Sequence, residues 1–251
     1  MAQFSDAART AIAGAAPGLQ LISWYTWVAS QLDEDQRTLL SFAVSSLVNR
    51  GWLSPLTKLA ETAVESLGLS EERVMTALMV LEDHGLLETE DDRIVSLAAV
   101  ISTTKTDVTY FLGEDHATPI SLVGPIAALG IARALNRGGE LVAKCSGTQG
   151  DEEKASDRVT LLCDESGIHS RKPESVALFL PSWDGTTSPA SAVARGGLFV
   201  DDDALAQWQT EHDDPDGMPL TSMFFPMAAT DLGDKLGKAL ESMFDHVANF
   251  A

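Results

Sequence analysis

Gly124-Pro125-Ile126-Ala127-Ala128-Leu129-Gly130-Ile131-Ala132-Arg133-Ala134-Leu135-Asn136-Arg137 opens the part of this chain whose reading decides the fold. Proline has no N–H to lose in a first helical turn, so Pro125 suits the start of a helix running to about Leu135. Gly138-Gly139 breaks it. Leu141-Val142-Ala143-Lys144-Cys145 and Val159 to Cys163 read as strands, joined by a charge-rich polar loop, Ser146 to Asp157, expected to be mobile. Ser175 to Leu180 is a third strand, ending in Leu178-Phe179-Leu180-Pro181. A Gly/Thr/Ser/Pro loop follows from Ser182 to Ser191, and Gly196-Gly197 leads into a short strand, Leu198-Phe199-Val200. Asp201-Asp202-Asp203 caps a helix through Trp208, with acids at the positive end of its dipole.

Working outward, Lys105 to Leu112 reads as a strand and Gly113-Glu114-Asp115-His116 as a turn. Residues 36–101 form a unit of their own. Leu39, Leu40, Ala43, Val44, Leu47 and Val48 recur at helical spacing, and Arg50-Gly51 stops that helix. A second helix spans Pro55 to Leu67. Ser70 is the expected N-cap of a third, although Arg73 stands where a capping-box glutamate would be ideal. Leu86-Leu87-Glu88, a turn at Glu90-Asp91-Asp92 and Arg93 to Leu97 make a hairpin, so the pattern is a winged helix-turn-helix. Residues 1–35 are a helical lead-in, where Trp24, Tyr25 and Trp27 are expected to pack against a core. Beyond Trp208, Asp213 to Gly217 is a turn, Met223 to Met227 is apolar, and Asp231 to Phe250 is a final amphipathic helix. There are no internal repeats.

Charge narrows the function. The chain carries 37 acidic and 17 basic side chains, net −20, which repels nucleic acid and anionic membranes. Over residues 36–101 ten acids face five bases, and the helix that would enter a DNA groove, Glu71 to Asp83, has one base, Arg73. A DNA reader needs Lys and Arg for phosphates and base edges, so the unit reads as a packing module. The acidity itself suits solubility or a salty cytoplasm, the alternative being attraction of a cation or a basic partner. Hydrophobic residues make up 45% of the chain, enough for a substantial core. Two cysteines make no disulfide framework, there is no secretion signal, and no stretch approaches the roughly 20 apolar residues of a membrane span. A cytoplasmic protein is expected.

The layout from Gly124 to Trp208 resembles the core of the organomercurial (alkylmercury) lyases. The resemblance runs over residues 36–240 at low identity and is best in Gly124–Arg137, Leu141–Gly147 and Leu198–Trp208. It implies an α+β fold: a winged-helix-like unit (36–101) followed by a lyase-like mixed β-sheet domain with flanking helices (105–251). In that family a cysteine opens the short helix, an aspartate follows three residues later, and a second cysteine precedes the strand leading to the tryptophan helix. The two thiolates grip the soft mercury ion and the carboxylate manages the proton for the carbon leaving group. Position by position, these fall here on Gly124, on Ala127 and near Val193, none of which binds a soft metal or carries a proton. Gly196-Gly197-Leu198-Phe199 replaces the family's histidine-bearing strand, and the two glycines leave room for a ligand.

The resemblance therefore implies a divergent member that has lost carbon–mercury cleavage. Its old pocket, with Gly124, Ala127, Val193, Gly196, Gly197 and Tyr110, would bind or modify a small organic molecule, as a tailoring or accessory enzyme of natural-product biosynthesis. His116, beside Asp115 and shortly before Gly124, is the candidate acid–base group. Two alternatives remain: a non-catalytic sensor or protein-interaction module, homodimeric or with a protein partner, and a metal-binding lyase using Cys145 and Cys163. The cysteines lack a CxxC spacing and a third ligand at a fixed offset, and read better as buried strand residues. No cofactor is expected. No serine has the G-x-S-x-G context of a hydrolase.

Overall fold

Local capping chemistry sets the N-terminal helices. The computed structural model describes residues 6–113, 118–146, 158–212 and 215–244. Helix α1 (Asp6–Ala13) is followed by α2 (Gln20–Gln31), in which Trp24 and Tyr25 are fully buried. They pack as expected, against each other and, for Trp24, against Trp183 in an edge-on contact at 5.7 Å. Helix α3 (Glu34–Arg50) begins with a reciprocal capping box: Gln36 N donates to Asp33 Oδ1 at 2.9 Å and Asp33 N to Gln36 Oε1 at 3.0 Å. It ends at Gly51, whose φ of 73° is the left-handed cap that glycine adopts without strain. Helix α4 (Leu56–Leu67) and α5 (Glu71–Asp83) follow, and Ser70 caps α5 by accepting from Arg73 N at 3.3 Å. Arg73, poor for a capping box, instead makes a two-pronged ion pair with Asp35 that ties α5 to α3. His84, just past the end of α5, is half-buried edge-on to Trp27 at 5.7 Å, and burial lowers its pKa, favouring the neutral ring.

Hairpin β1 (Leu87–Glu90) and β2 (Arg93–Leu97) follows the three helices, in the order read from the sequence. It continues directly into a larger sheet through β3 (Ile101–Ser102), β4 (Val108–Leu112), β5 (Thr118–Leu122), β6 (Gly139–Lys144), β7 (Arg158–Asp164) and β8 (Gly167–Lys172). The eight strands are ordered β1-β2-β3-β5-β4-β6-β7-β8, and every neighbouring pair is antiparallel. The strand read at Ser175–Leu180 does not join them. As β9 (Ala177–Pro181) it centres a separate three-stranded sheet between β10 (Gly197–Phe199) and β11 (Gly217–Leu220). The Ser182–Ser191 loop contains α7 (Pro189–Ala194), which Ser188 caps and Pro189 starts; α8 (Asp202–Glu211) is capped by Asp201. The architecture is α+β. Apart from Ser146, the polar loop to Asp157 lies outside the described residues, as does His116. Among the described residues no helix is long and apolar enough to cross a membrane.

The 3-10 turn Pro125–Ala127 leads into α6 (Ala128–Ala134), which lies against the C-terminal helix α9 (Phe225–Met243). Glycines make that approach possible. A Cβ on Gly130 would sit 2.8 Å from Gly237 N, and one on Gly233 would sit 2.6 Å from Leu129 O. Arg133 of α6 crosses this seam to reach Asp234 at 2.9 Å and Glu241 at 3.0 Å. We expect Gly233→Ala to lower the urea midpoint at unchanged slope. Alanine's helix preference of about 1 kcal/mol is outweighed by overpacking against a backbone oxygen, about 3 kcal/mol. Gly14→Ala, whose Cβ meets nothing within 4 Å, is the neutral control. Equal midpoints for the two variants would refute the glycine seam.

Candidate functional site

Strand β9 carries the chain from the small sheet to the mouth of a cleft of about 1000 Å³. Three elements surround it. Helix α1 supplies Arg9, Ile12 and Ala13; the Pro181–Thr186 segment supplies Ser182, Trp183 and Asp184; α8 and its end supply Trp208 and His212. Gly196, between α7 and β10, forms part of the wall. The Ser182–Thr186 loop is held against α1 at Gly185, whose φ of 79° turns the chain and whose absent Cβ would lie 3.2 Å from Ile12 Cδ1. Trp183 is buried and fixed by donating its indole N–H to Thr187 O at 3.1 Å.

One wall is a stack of rings. Trp208 lies 5.0 Å from Phe179 and 5.3 Å from Phe199, and His212 stacks on it at 4.6 Å and 28°. His212 Nδ1 lies 2.8 Å from Trp208 O. A carbonyl only accepts, so Nδ1 carries the hydrogen there and Nε2 is the acceptor of the neutral ring. The lining also has polar members. Gln20 Oε1 and Ser182 Oγ are both buried with no hydrogen-bond partner. Ser182 is held by its backbone: its N–H donates to Asp216 O at 2.9 Å and its carbonyl accepts from Arg195 Nη2 at 3.2 Å. Asp184 accepts from Thr186 N at 2.9 Å and Thr186 Oγ1 at 2.7 Å, and these bonds hold its carboxyl below the usual range, with Arg195 adding a smaller pull.

A second cavity, about 310 Å³, lies behind Gly196, Ala194 and Ser146, which line both spaces. It also touches Gly124, Asp107, Lys144 and Cys145. Gly124 and Val193 lie together with no room between them: a Cβ on Gly124 would sit 2.4 Å from Val193 O. Ala127 and Val193 are 0% exposed and line neither space. Gly197 is packed under Phe199 and Ser146, where a Cβ would meet both within 2.8 Å. Tyr110 is buried with its hydroxyl donating to Arg137 O at 3.0 Å, and burial raises its pKa, so it faces a carbonyl rather than a pocket. Of the expected pocket, Gly196 alone borders the large cleft, with Gly124 on the smaller one.

The cysteines do not meet. On the paired strands β6 and β7, Cys163 stands opposite Gly139, while Cys145 follows Lys144, which faces Arg158. Six residues at about 3.3 Å each separate them by about 20 Å along the strands, because the hairpin's register sends them to opposite ends. Neither forms a disulfide, and among the described residues no group of three or more His, Cys, Asp or Glu could hold a metal ion. Gln20, Ser182 and His212 were missed in the sequence. They come from three distant segments without a shared spacing, and it is the end of α8 that places the histidine on Trp208.

A large antiparallel sheet with helices packed on it, a small second sheet and a cleft between the latter and the N-terminal helix define an α+β protein of the organomercurial-lyase type in fold. Among solved structures the chain is similar to the mercury-bound form of MerB2, with a TM-score of 0.67 and 16% identity, over 88% of this chain and 98% of that one. That likeness is one of fold. No family model matches the sequence, and no curated protein matches it.

Two outcomes follow from the packing. Gly124→Ala should destabilise the fold by about 1–3 kcal/mol through overpacking, seen as a lower melting temperature; an unchanged one would mean that the Val193 carbonyl is free to move away. Burial, with a smaller push from Asp164, raises the Cys163 thiol from 9.0 to about 12. Its thiolate population at neutral pH is therefore about a thousandfold below that of an ordinary thiol. Peptide mapping after iodoacetamide should find Cys163 modified only in denaturant.

Proposed function

We propose that this chain holds a small organic molecule in the cleft between α1, β9 and α8, and that it does not cleave carbon–mercury bonds. The observation that carries the binding half is the cleft itself: about 1000 Å³ at the upper end of ligand-pocket sizes, with two buried polar atoms, Gln20 Oε1 and Ser182 Oγ, left without partners. A buried unpaired polar group costs about 1–3 kcal/mol, which a ligand's own hydrogen bonds would relieve. The other half draws on the resemblance of Gly124, Ala127 and Val193 to the lyases' Cys, Asp and Cys, together with the closure of that spot by backbone atoms. Thiolates are what a soft metal needs, and the two cysteines present are about 20 Å apart along the sheet. If the molecule is also modified, as in a biosynthetic tailoring enzyme, His212 Nε2 is a group at the cleft able to take a proton, beside the carboxylates of Asp184 and Asp216. The likeness to MerB2 supports the scaffold of this reading and not its chemistry.

A second reading, a protein-contact module built on the N-terminal helices, draws on Met75 and Met79, one turn apart on α5 and 46% and 62% exposed. It would show as concentration-dependent mass in sedimentation.

The test has two arms. Phenylmercury with excess thiol should release no benzene above the thiol-only blank; release that scales with protein concentration sinks the proposal. A thermal-shift panel of small aromatic, acidic and amphipathic molecules should contain hits that raise the melting temperature of the wild type. Those hits should vanish in Ala13→Trp, an exposed position on α1 where an indole would fill the cleft. Hits that persist in Ala13→Trp would place binding elsewhere.

A further inference from the structure

We infer that the cleft takes a flat-ringed organic acid that also carries a hydrogen-bond donor, a phenolic acid being the simplest such chemistry. This rests on the small-molecule reading above and specifies its ligand.

The ring follows from the wall. Phe179, Phe199, Trp208 and His212 form a run of contacts at 4.6–5.3 Å, and Trp208 and His212 border the cleft. Such a wall favours another flat ring over a branched aliphatic group, through offset stacking worth about 0.5–1.5 kcal/mol beyond area burial.

The acid follows from the charge distribution. In a chain of 37 acids and 17 bases, two arginines, Arg9 and Arg195, border one cleft. Each carboxylate there has a place. Asp184 is closed on Thr186 and lies in the field of Arg195, while Asp216 is an exposed rim residue whose carbonyl holds the Ser182 backbone. Arg9 is in none of the ion pairs or hydrogen bonds among the described residues, although the rest of the surface offers acids in excess. A ligand carboxylate would give its guanidinium a two-pronged partner and would accept from Ser182 Oγ–H. The donor follows from Gln20, whose buried carbonyl oxygen can only accept; a phenolic O–H supplies the missing hydrogen.

Four naphthalene probes separate these elements by calorimetry at low ionic strength: hydroxynaphthoate, methoxynaphthoate without the donor, naphthol without the acid, and naphthylmethylammonium with the opposite charge. Hydroxynaphthoate should bind most tightly. Methoxynaphthoate and naphthol should each be weaker by about tenfold, as expected for one hydrogen bond or one charge-assisted contact. The ammonium should not bind. Arg9→Ala should weaken both acids about tenfold and leave naphthol unchanged, whereas Gln20→Leu should erase the preference for hydroxy over methoxy. Naphthol or the ammonium binding as tightly as the acid overturns the assignment, as does an Arg9→Ala effect equal on all probes or probe binding that survives Ala13→Trp. If no naphthalene binds while panel hits remain sensitive to Ala13→Trp, the phenolic-acid assignment alone falls. If neither binds, the small-molecule reading falls with it.

Discussion

The contact between α6 and α9 is the constraint on which the site's geometry depends. Gly130, Gly233 and Gly237 bring the two backbones within a distance no side chain would allow, and Arg133 then bridges the seam to Asp234 and Glu241. Helix α9 also packs on α2, α3 and β8, so its placement sets where both the N-terminal helices and the far end of the large sheet lie. Helix α6 inherits that placement and passes it to its own start, the 3-10 turn after Gly124. There the chain meets the Val193 carbonyl, which fixes the end of α7, and with it Gly196 and the wall of the cleft. Packed elements of this kind have few alternative arrangements, so a shift at the glycine seam would be felt at the cleft rather than absorbed locally.

Much of this fold was legible, for identifiable reasons. Helices announce themselves through period and caps: Ser70 and Asp201 cap the helices that follow them, and Gly51 ends α3 in the left-handed conformation. The strands that escaped share a different trait. Strand β8 (Gly167–Lys172) is a partly exposed edge with no apolar alternation. Strand β5 contains Pro119, which argues against a strand inside a sheet. It is tolerated because β3 is two residues long and pairs with Ser121 and Leu122 only, leaving Pro119 with a partner on one side, β4. Helix α7 was hidden in a segment whose Ser188-Pro189 reads equally as a turn and as an N-cap followed by proline at the first helical position.

The site was less legible than the fold. Gly124 and Val193 lie in contact and Gly196 lines a cavity, which is a matter of backbone path. A resemblance in chain layout does not carry over side-chain volume. Ala127, Gly197 and Tyr110 are filled in by neighbours that a single sequence cannot locate, and the two strand cysteines are separated by the register of β6 on β7. Conversely, Gln20, Ser182, Trp208 and His212 are drawn from α2, the end of β9 and α8, segments far apart in the sequence that line one cleft.

The Gly124–Val193 contact and the open cleft at the end of β9 differ in what a substitution would cost. At the Gly124–Val193 contact two backbone segments touch, and any side chain placed there must compete with packing that positions α6 and α7. At the mouth of the cleft the chain leaves the end of β9, and α1 borders the space with exposed residues, Arg9 and Ala13, outside the core. Substitutions at the first place cost stability through overpacking, whereas substitutions at the second change the lining of an open cleft at little cost. A scaffold built this way can change what it binds through the lining of its cleft while the contact that orders its helices stays intact, which is how one fold comes to hold unrelated functions.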